Sequence, residues 1–180
     1  SHMARVLILI ERLKLAQAQI TTIEKQIQTA LAERVKSEEQ TERRDLTVLL
    51  SLPGFGPLTT ATALGESGDA FERRDYNALR SLSGAAPITK QSGGTRYVVM
   101  RRTCQPRLRV ALHISALQAI RIDPKFRDLY LRARARGHTV GRAIRTIVDR
   151  LLFLAVHLLR KNELYNIDLR QLAPEVAAAS

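Results

Sequence analysis

A seven-residue repeat of apolar positions runs through the first part of the chain. It forms two rows: Val6, Leu13, Ile20, Ile27 and Leu9, Ala16, Ile23, Ala30. Charged residues and glutamines separate the rows, and neither glycine nor proline occurs before Pro53. The pattern predicts a long helical arm over residues 4–45. Its seam favours self-association as a coiled coil, to a dimer or to a dimer of dimers. The alternative is that the arm packs against the rest of its own chain.

The remaining apolar pattern is also mainly helical. Helices are expected over six segments: 46–52, 59–65, 76–83, 106–121, 124–136 and 139–161. Asp123 followed by proline is an N-cap signal, and Gly137 is expected to end the helix that starts there. Residues 84–94, rich in Gly, Pro, Ser and Thr, predict a loop, and Tyr97 to Met100 is the one plausible strand. The sequence therefore predicts a mainly α fold with a long coiled-coil helix, a helix-hairpin-helix-like motif and at most a short strand.

The same pattern divides the chain into four parts. Residues 1–3 (Ser-His-Met) have the sequence of a tag remnant and are left out of the fold prediction. Residues 4–45 form the arm, residues 46–168 the main domain, and residues 169–180 a tail that ends in Ala-Ala-Ala-Ser.

Positive charge is concentrated in the main domain. The chain has 29 Lys+Arg against 17 Asp+Glu, a formal charge of +12. Residues 1–45 hold eight basic and seven acidic side chains, whereas residues 46–180 hold 21 and ten. Twenty-three of the basic residues are arginines, whose planar donor fork suits phosphate groups. Duplex DNA and structured RNA are therefore the expected partners.

Three other features narrow the class of protein. The longest apolar run, Leu151 to Leu159, is too short to span a bilayer, so no membrane partner is expected. A lone Cys104 excludes an internal disulfide and suits the reducing cytoplasm. An aromatic content of 4% without tryptophan argues against a base-stacking platform for single strands.

A short Pro-Gly-Phe-Gly segment, residues 53–56, joins two of the predicted helices. Its glycines permit a backbone that turns successive N–H groups outward, beside the positive end of the following helix. Gly54, Gly56 and Thr59 are therefore candidate phosphate contacts of a helix-hairpin-helix. The alternative is that the glycines only form a tight turn between helices.

Ser92 precedes two glycines in the predicted loop, with Lys90 and Arg96 close in sequence. A serine hydroxyl is a poor nucleophile unless it is activated or unless cations stabilise the charge that forms. The glycines would let a phosphodiester approach closely. On these residues alone, an ordinary surface loop is the simpler interpretation.

Arginines also cluster around the predicted C-terminal helices. Between Arg121 and Arg150 there are nine basic residues and three acidic ones. Because so few acids compensate them, phosphate binding is favoured over a merely solvated helix face. The candidate nucleic-acid contacts are Arg101, Arg102, Arg107, Arg109, Arg132, Arg134, Arg136, Arg142 and Arg145.

Several motifs follow one another in the main domain. They are Leu49-Leu-Ser-Leu-Pro-Gly-Phe-Gly56, Phe71, Leu79-Arg-Ser-Leu-Ser-Gly-Ala-Ala-Pro87, Gln91-Ser-Gly93 and Leu108-Arg-Val-Ala-Leu112. In this order they resemble the transposase domain of the insertion sequence 110 family, which includes the Piv-type DNA invertases. The resemblance covers about residues 46–165, and the arm resembles the family's coiled-coil segment.

The resemblance implies a bridge-RNA-guided serine recombinase from the cytoplasm of a bacterium or archaeon, associated with the nucleoid. In such enzymes an N-terminal RNase H-like domain holds Mg²⁺ with four acidic residues, and the C-terminal domain supplies a serine nucleophile, which is Ser92 here. The serine forms a transient 5′-phosphoserine link to DNA while the bridge RNA selects target and donor. Catalytic centres are assembled between subunits.

The sequence departs from the family pattern in two ways. The acidic domain is not found in this chain, so we expect no metal site within it and no recombination by this fragment alone. The second departure is Cys104, which stands where relatives usually have a glycine. Two other classes stay open: a non-catalytic helix-hairpin-helix module with an oligomerisation arm, and a coiled-coil assembly protein whose charge only attracts RNA.

Overall fold

Seven helices and one two-stranded sheet make up the residues that the computed structural model describes, namely 2–36, 40–92 and 94–166. In chain order they are α1 (His2–Lys36), α2 (Gln40–Ser51), α3 (Pro57–Glu72), α4 (Tyr76–Ser83), β1 (Pro87–Ser92), β2 (Thr95–Met100), α5 (Pro106–Ile122), α6 (Pro124–Ala135) and α7 (Val140–Lys161). The mainly α prediction is confirmed. The predicted tail, residues 169–180, lies outside the described residues.

The predicted arm, residues 4–45, comprises most of α1 and the first part of α2, and both heptad rows lie within α1. The end of α1 nearest the main domain packs against α2 and α3, where Ile27 and Leu31 are half-buried. Further toward the N-terminus the seam is uncovered, with Leu13 66% and Ile20 56% exposed. One end of the arm therefore packs within its own chain, and the other leaves apolar side chains free in the single chain. The predicted boundary between arm and main domain, at residues 45 and 46, falls inside α2.

The last helix forms the centre of the core. Ten residues of α7 are buried, among them Ile147, Leu151 and Leu158 with no exposed surface. The helix packs against α2, α4, α5 and α6. Each fully buried Leu or Ile side chain contributes about 1.5–3 kcal/mol relative to an exposed one, so α7 is the main source of apolar burial.

The ends of the C-terminal helices follow the predicted capping signals. The Asp123 carboxylate accepts a hydrogen bond from the Lys125 amide at 2.8 Å, and Pro124 is the first residue of α6. Gly137, with φ +81°, follows the end of α6. Thr139 caps α7 by accepting from the Arg142 amide at 3.3 Å. The sequence predicts the roles of Asp123 and Gly137 because they depend on neighbouring residues only, whereas the Thr139 cap is seen in the structure alone.

The predicted loop over residues 84–94 is wrong for its second half. Residues 87–92 form β1, which pairs antiparallel with β2 from Pro87 opposite Met100 to Ser92 opposite Thr95. The predicted strand over Tyr97–Met100 is correct but extends back to Thr95. The Gly and Ser content of the segment favours a loop. The hairpin forms nevertheless, because cross-strand pairing stabilises β1 more than its own composition does.

The chain turns back after α7 and contacts two other elements. The Tyr165 amide donates to Ser51 Oγ at 2.9 Å, and the Tyr165 hydroxyl donates to the buried carboxylate of Asp123. Burial, and next the bond to Asp123, raise the pKa of Tyr165, which keeps its hydroxyl protonated. Residues as far as Tyr165 therefore belong to the folded domain.

Candidate nucleic-acid interface and serine hairpin

Ser92 is the last residue of β1, at the end of the hairpin that is farthest from the helices. In the strand register Ser92 lies opposite Thr95, Lys90 opposite Tyr97, and Gln91 opposite Arg96. Successive residues of a strand belong to opposite faces, so Lys90 shares a face with Ser92, whereas Arg96 lies on the other face. The structure describes the backbone at these positions but not the side chains of Lys90, Ser92 and Arg96.

The hairpin projects from the helical body. Five residue steps of about 3.3 Å separate Pro87 from Ser92, so the serine lies roughly 17 Å along the strand from the base. At that base, Met100 Sδ lies 3.1 Å from Arg145 Nη1 of α7. The hairpin is thus attached at one end and carries the serine at the other.

A cleft of about 300 Å³ opens at the base of the hairpin, which we call the arginine cleft. It lies between α4, the first residues of β1, the end of β2 and the start of α7. Its charged side chains are Arg80, Arg142, Arg145 and Asp149. Arg142 and Arg145, both candidate contacts from the sequence, lie three positions apart on α7 and line this cleft together.

Arg80 is a member of the cleft that the sequence analysis missed. Its Nε donates to Asp149 Oδ1 at 2.5 Å, and its Nη2 donates to Asp149 Oδ2 at 3.3 Å. The Tyr76 hydroxyl donates to the same carboxylate at 3.0 Å. Burial, and next the charge of Asp149, raise the pKa of Tyr76 to about 12, so this donor stays protonated. No local signal distinguishes Arg80 from other helix arginines, because its partner lies 69 residues away.

The arginines of α6 lie at the opposite end from its N-cap and are partly engaged. Arg132 pairs with Asp128 at 2.5 Å, and both side chains are more than half exposed. Arg134 Nη1 donates to the His138 carbonyl at 2.6 Å, and Arg136 Nε donates to the Arg132 carbonyl at 3.3 Å. Cations at a helix C-terminus are favoured by its dipole. These three side chains are therefore accessible to a polyanion and also stabilise the end of α6.

A second group of arginines surrounds the start of α5. Arg102, Arg107 and Arg109 are exposed, and Arg107 lies 3.6 Å from the Glu66 carboxylate with its side chain 84% exposed. Arg101 is half-buried, and its Nε has no hydrogen-bond partner in the structure. The first turn of α5 contains no acidic residue. The group is therefore a second exposed basic surface.

Cys104 has a packing role in this turn. A side chain at Gly84 would meet Cys104 Sγ at 3.2 Å, so the thiol lies directly against that glycine. Its Sγ also donates to the Arg102 carbonyl at 3.5 Å. The cysteine in place of the family's usual glycine is accommodated because Gly84 leaves room for it.

The turn over residues 53–56 faces the interior of the protein as well as the arm. A Cβ added to Gly54 would lie 2.2 Å from the Ser115 carbonyl oxygen of α5, and Gly54 has φ +80°. Gly56 has no such neighbour within 4 Å. Gly54, Gly56 and Thr59 line a cavity of about 480 Å³ that Glu24 and Ile27 of the arm also line. Gly54 thus has a packing role, and phosphate contact by this turn stays a prediction.

The described residues include no metal-binding cluster. Nowhere in these ranges do three His, Cys, Asp or Glu side chains converge as ligands. None of the described helices is long and apolar enough to cross a membrane.

The geometry defines a mainly helical, arginine-rich domain that carries a serine on a projecting hairpin. Residues 46–131 match the model of the family described as Transposase IS116/IS110/IS902 family. This segment, which includes the hairpin, is therefore a transposase domain of that family, and DNA is its class of partner. No curated protein matches the chain. The matched segment ends before α7, so Arg142 and Arg145 lie outside it.

Proposed function

We propose that this chain is the C-terminal part of a DNA transposase that binds DNA and a guide RNA and supplies Ser92 as the nucleophile for strand exchange. The observation that supports this most directly is the position of Ser92 at the far end of a hairpin within the family-matched segment. A residue held away from the body can reach the backbone of a bulky duplex. The arginine cleft and the basic surface at α5 would hold the flanking strands.

The proposed reaction is a transesterification. The Ser92 hydroxyl loses its proton, its Oγ bonds to a backbone phosphorus, and the bond from that phosphorus to the 3′ oxygen breaks. The departing 3′ oxygen takes up a proton, and the 5′ end stays on the serine as a phosphoserine ester. Attack by the 3′-hydroxyl of another strand reverses these steps and completes the exchange. No water or oxidant is consumed.

The described residues do not provide a site for the magnesium ion that the family resemblance implies, because no carboxylate cluster is present among them. We therefore assign the nucleophile and the phosphate-binding charge to this chain and no metal-dependent step. The metal ligands would come from an acidic domain of the same or another subunit.

We predict that binding to duplex DNA depends steeply on salt. Each neutralised phosphate contributes about 0.9 to the slope of log K against log[salt], so about six contacts would weaken binding by about 10³-fold between 50 and 200 mM salt. Arg107→Gln with Arg109→Gln should reduce the slope by about 1.8, measured by fluorescence anisotropy on unrelated sequences.

The matched control is Arg12→Gln with Lys14→Gln, which removes the same charge from the arm. It should leave the slope unchanged. An affinity that is equal at both salt concentrations, or an equal loss in both double variants, would contradict electrostatic binding by the main domain.

We also propose that the arm mediates self-association, because its exposed seam is buried only when another helix covers it. Leu13→Asp with Ile20→Asp should convert a dimer to a folded monomer at tens of micromolar, measured by sedimentation velocity. These positions are chosen because both are exposed in the single chain, unlike Ile27. Gln19→Asp, which adds one charge off the seam, should remain dimeric. A monomeric wild-type chain would contradict this proposal and show that the arm packs only against its own chain.

A further inference from the structure

The arginine cleft has more positive charge than the protein itself compensates. Its four charged groups are Arg80, Arg142, Arg145 and Asp149. The Asp149 carboxylate is occupied by Arg80 and by the Tyr76 hydroxyl. In the described ranges neither Arg142 nor Arg145 pairs with a carboxylate. Three guanidinium groups and one carboxylate leave a formal excess of two positive charges.

The surroundings make this excess of positive charge unfavourable for the protein alone. Arg142 lies in the first turn of α7, where the helix dipole disfavours a cation, and no acidic residue occupies that turn. Arg145 follows one turn later, half-buried, and its closest polar contact is the weak acceptor Met100 Sδ. Burial, and next the charge of Arg142, lower the pKa of Arg145. An anion in the cleft, such as the singly charged phosphodiester of a DNA backbone, would reduce this repulsion.

We propose that the arginine cleft is a phosphate-binding subsite, which takes a backbone phosphate of the DNA strand that the hairpin engages. This inference rests on the proposed function, since it gives the bound strand a second fixed point. Arg80 is held by Asp149 in a fixed orientation, and Arg142 and Arg145 supply unpaired guanidinium forks for phosphate oxygens. The cleft is large enough for a phosphate group, with a volume of about 300 Å³.

The position of the cleft specifies which phosphate it would take. Roughly 17 Å of strand separate it from Ser92. One strand of B-DNA advances about 3.4 Å along the axis per nucleotide, so this distance corresponds to about five nucleotides for a strand that follows the hairpin. The subsite would hold a phosphate about five nucleotides from the reacting one. It would thereby set the register of the strand at Ser92.

The first test uses inorganic phosphate and the chain as it exists. Thermal unfolding is measured in phosphate and in chloride at equal ionic strength, for the wild type, Arg142→Gln, Arg145→Gln and the control Arg127→Gln. Arg127 is exposed on α6 and does not line the cleft. Phosphate also stabilises proteins non-specifically, and the control reports that effect.

The wild type and Arg127→Gln should gain melting temperature in phosphate beyond the gain of the two cleft variants. In chloride, both cleft variants should melt at or above the wild-type temperature, because cation repulsion is relieved. Arg142 is exposed, so Arg142→Gln carries the test even where Arg145→Gln fails to fold. An equal response to phosphate in all four proteins would overturn the subsite.

The second test distinguishes a nucleic-acid phosphate from free phosphate. Inorganic phosphate at constant ionic strength should weaken duplex binding by the wild type and by Arg127→Gln at least threefold more than binding by Arg142→Gln with Arg145→Gln. If phosphate binds in the cleft but does not compete with DNA, the cleft takes a free anion and the proposal is wrong. If the wild type binds no DNA at any salt concentration, the proposed function fails. The thermal test still shows in that case whether the cleft binds phosphate.

Discussion

Ser92→Ala is expected to abolish the covalent protein–DNA species in the complete enzyme. The assay combines this chain with the acidic domain that the proposed function requires and supplies guide RNA, magnesium and DNA substrates. With wild type, a phosphoserine adduct should appear on denaturing gels. Alanine has no oxygen to form the ester, so the adduct should fall below detection while DNA and RNA binding are retained. Ser92→Cys should leave at most a trace.

Thr89→Ala is the control for this experiment, because it removes an exposed hydroxyl from the same strand. It should leave the adduct intact. An adduct that persists in Ser92→Ala would place the nucleophile elsewhere. Strand exchange by a wild type that never forms an adduct would favour the non-catalytic binding module instead.

Gly54→Ala is expected to destabilise the main domain by about 3 kcal/mol or more. The added methyl group would lie 2.2 Å from the Ser115 carbonyl oxygen and 3.1 Å from the Ala119 amide nitrogen, which both belong to the rigid backbone of α5. The positive φ at this residue adds strain for any side chain. Urea unfolding followed by circular dichroism measures the loss.

Gly56→Ala is the matched control two residues away. It has φ −75° and no neighbour within 4 Å of an added Cβ, so its cost should be within about 0.5–1 kcal/mol as an N-cap change. A Gly54→Ala variant that keeps wild-type stability but loses DNA binding would contradict the packing role of Gly54. The glycine would then be required for contact with DNA.

The parts of the fold that the sequence predicts are those governed by neighbouring residues. The helix of the arm follows from heptad spacing, and the limits of α6 follow from Asp123 and Gly137. Each signal comes from residues near one another in the chain, so no tertiary information is required. Arg142 and Arg145 are three positions apart on one helix, so helix geometry alone places both side chains in one cleft.

The features that the sequence did not predict depend on distant contacts. β1 requires β2 as its partner, and Gly54 is constrained by α5, about sixty residues further along the chain. Arg80 becomes part of the cleft only through Asp149 on α7. For β1 the local composition favoured a loop, and cross-strand pairing decided otherwise. For Gly54 the structure adds a packing role to the predicted phosphate contact, which stays untested.

Because α7 dominates the core, the folded domain extends beyond the segment that matches the family. The family match stops at residue 131, yet the helix that covers Leu49, Leu108 and Leu112 begins nine residues later. A recombinant piece trimmed to the matched residues would expose those leucines to water and aggregate. Any minimal version of this domain for crystallisation or fusion must therefore continue at least to Tyr165, where the returning chain closes over Asp123.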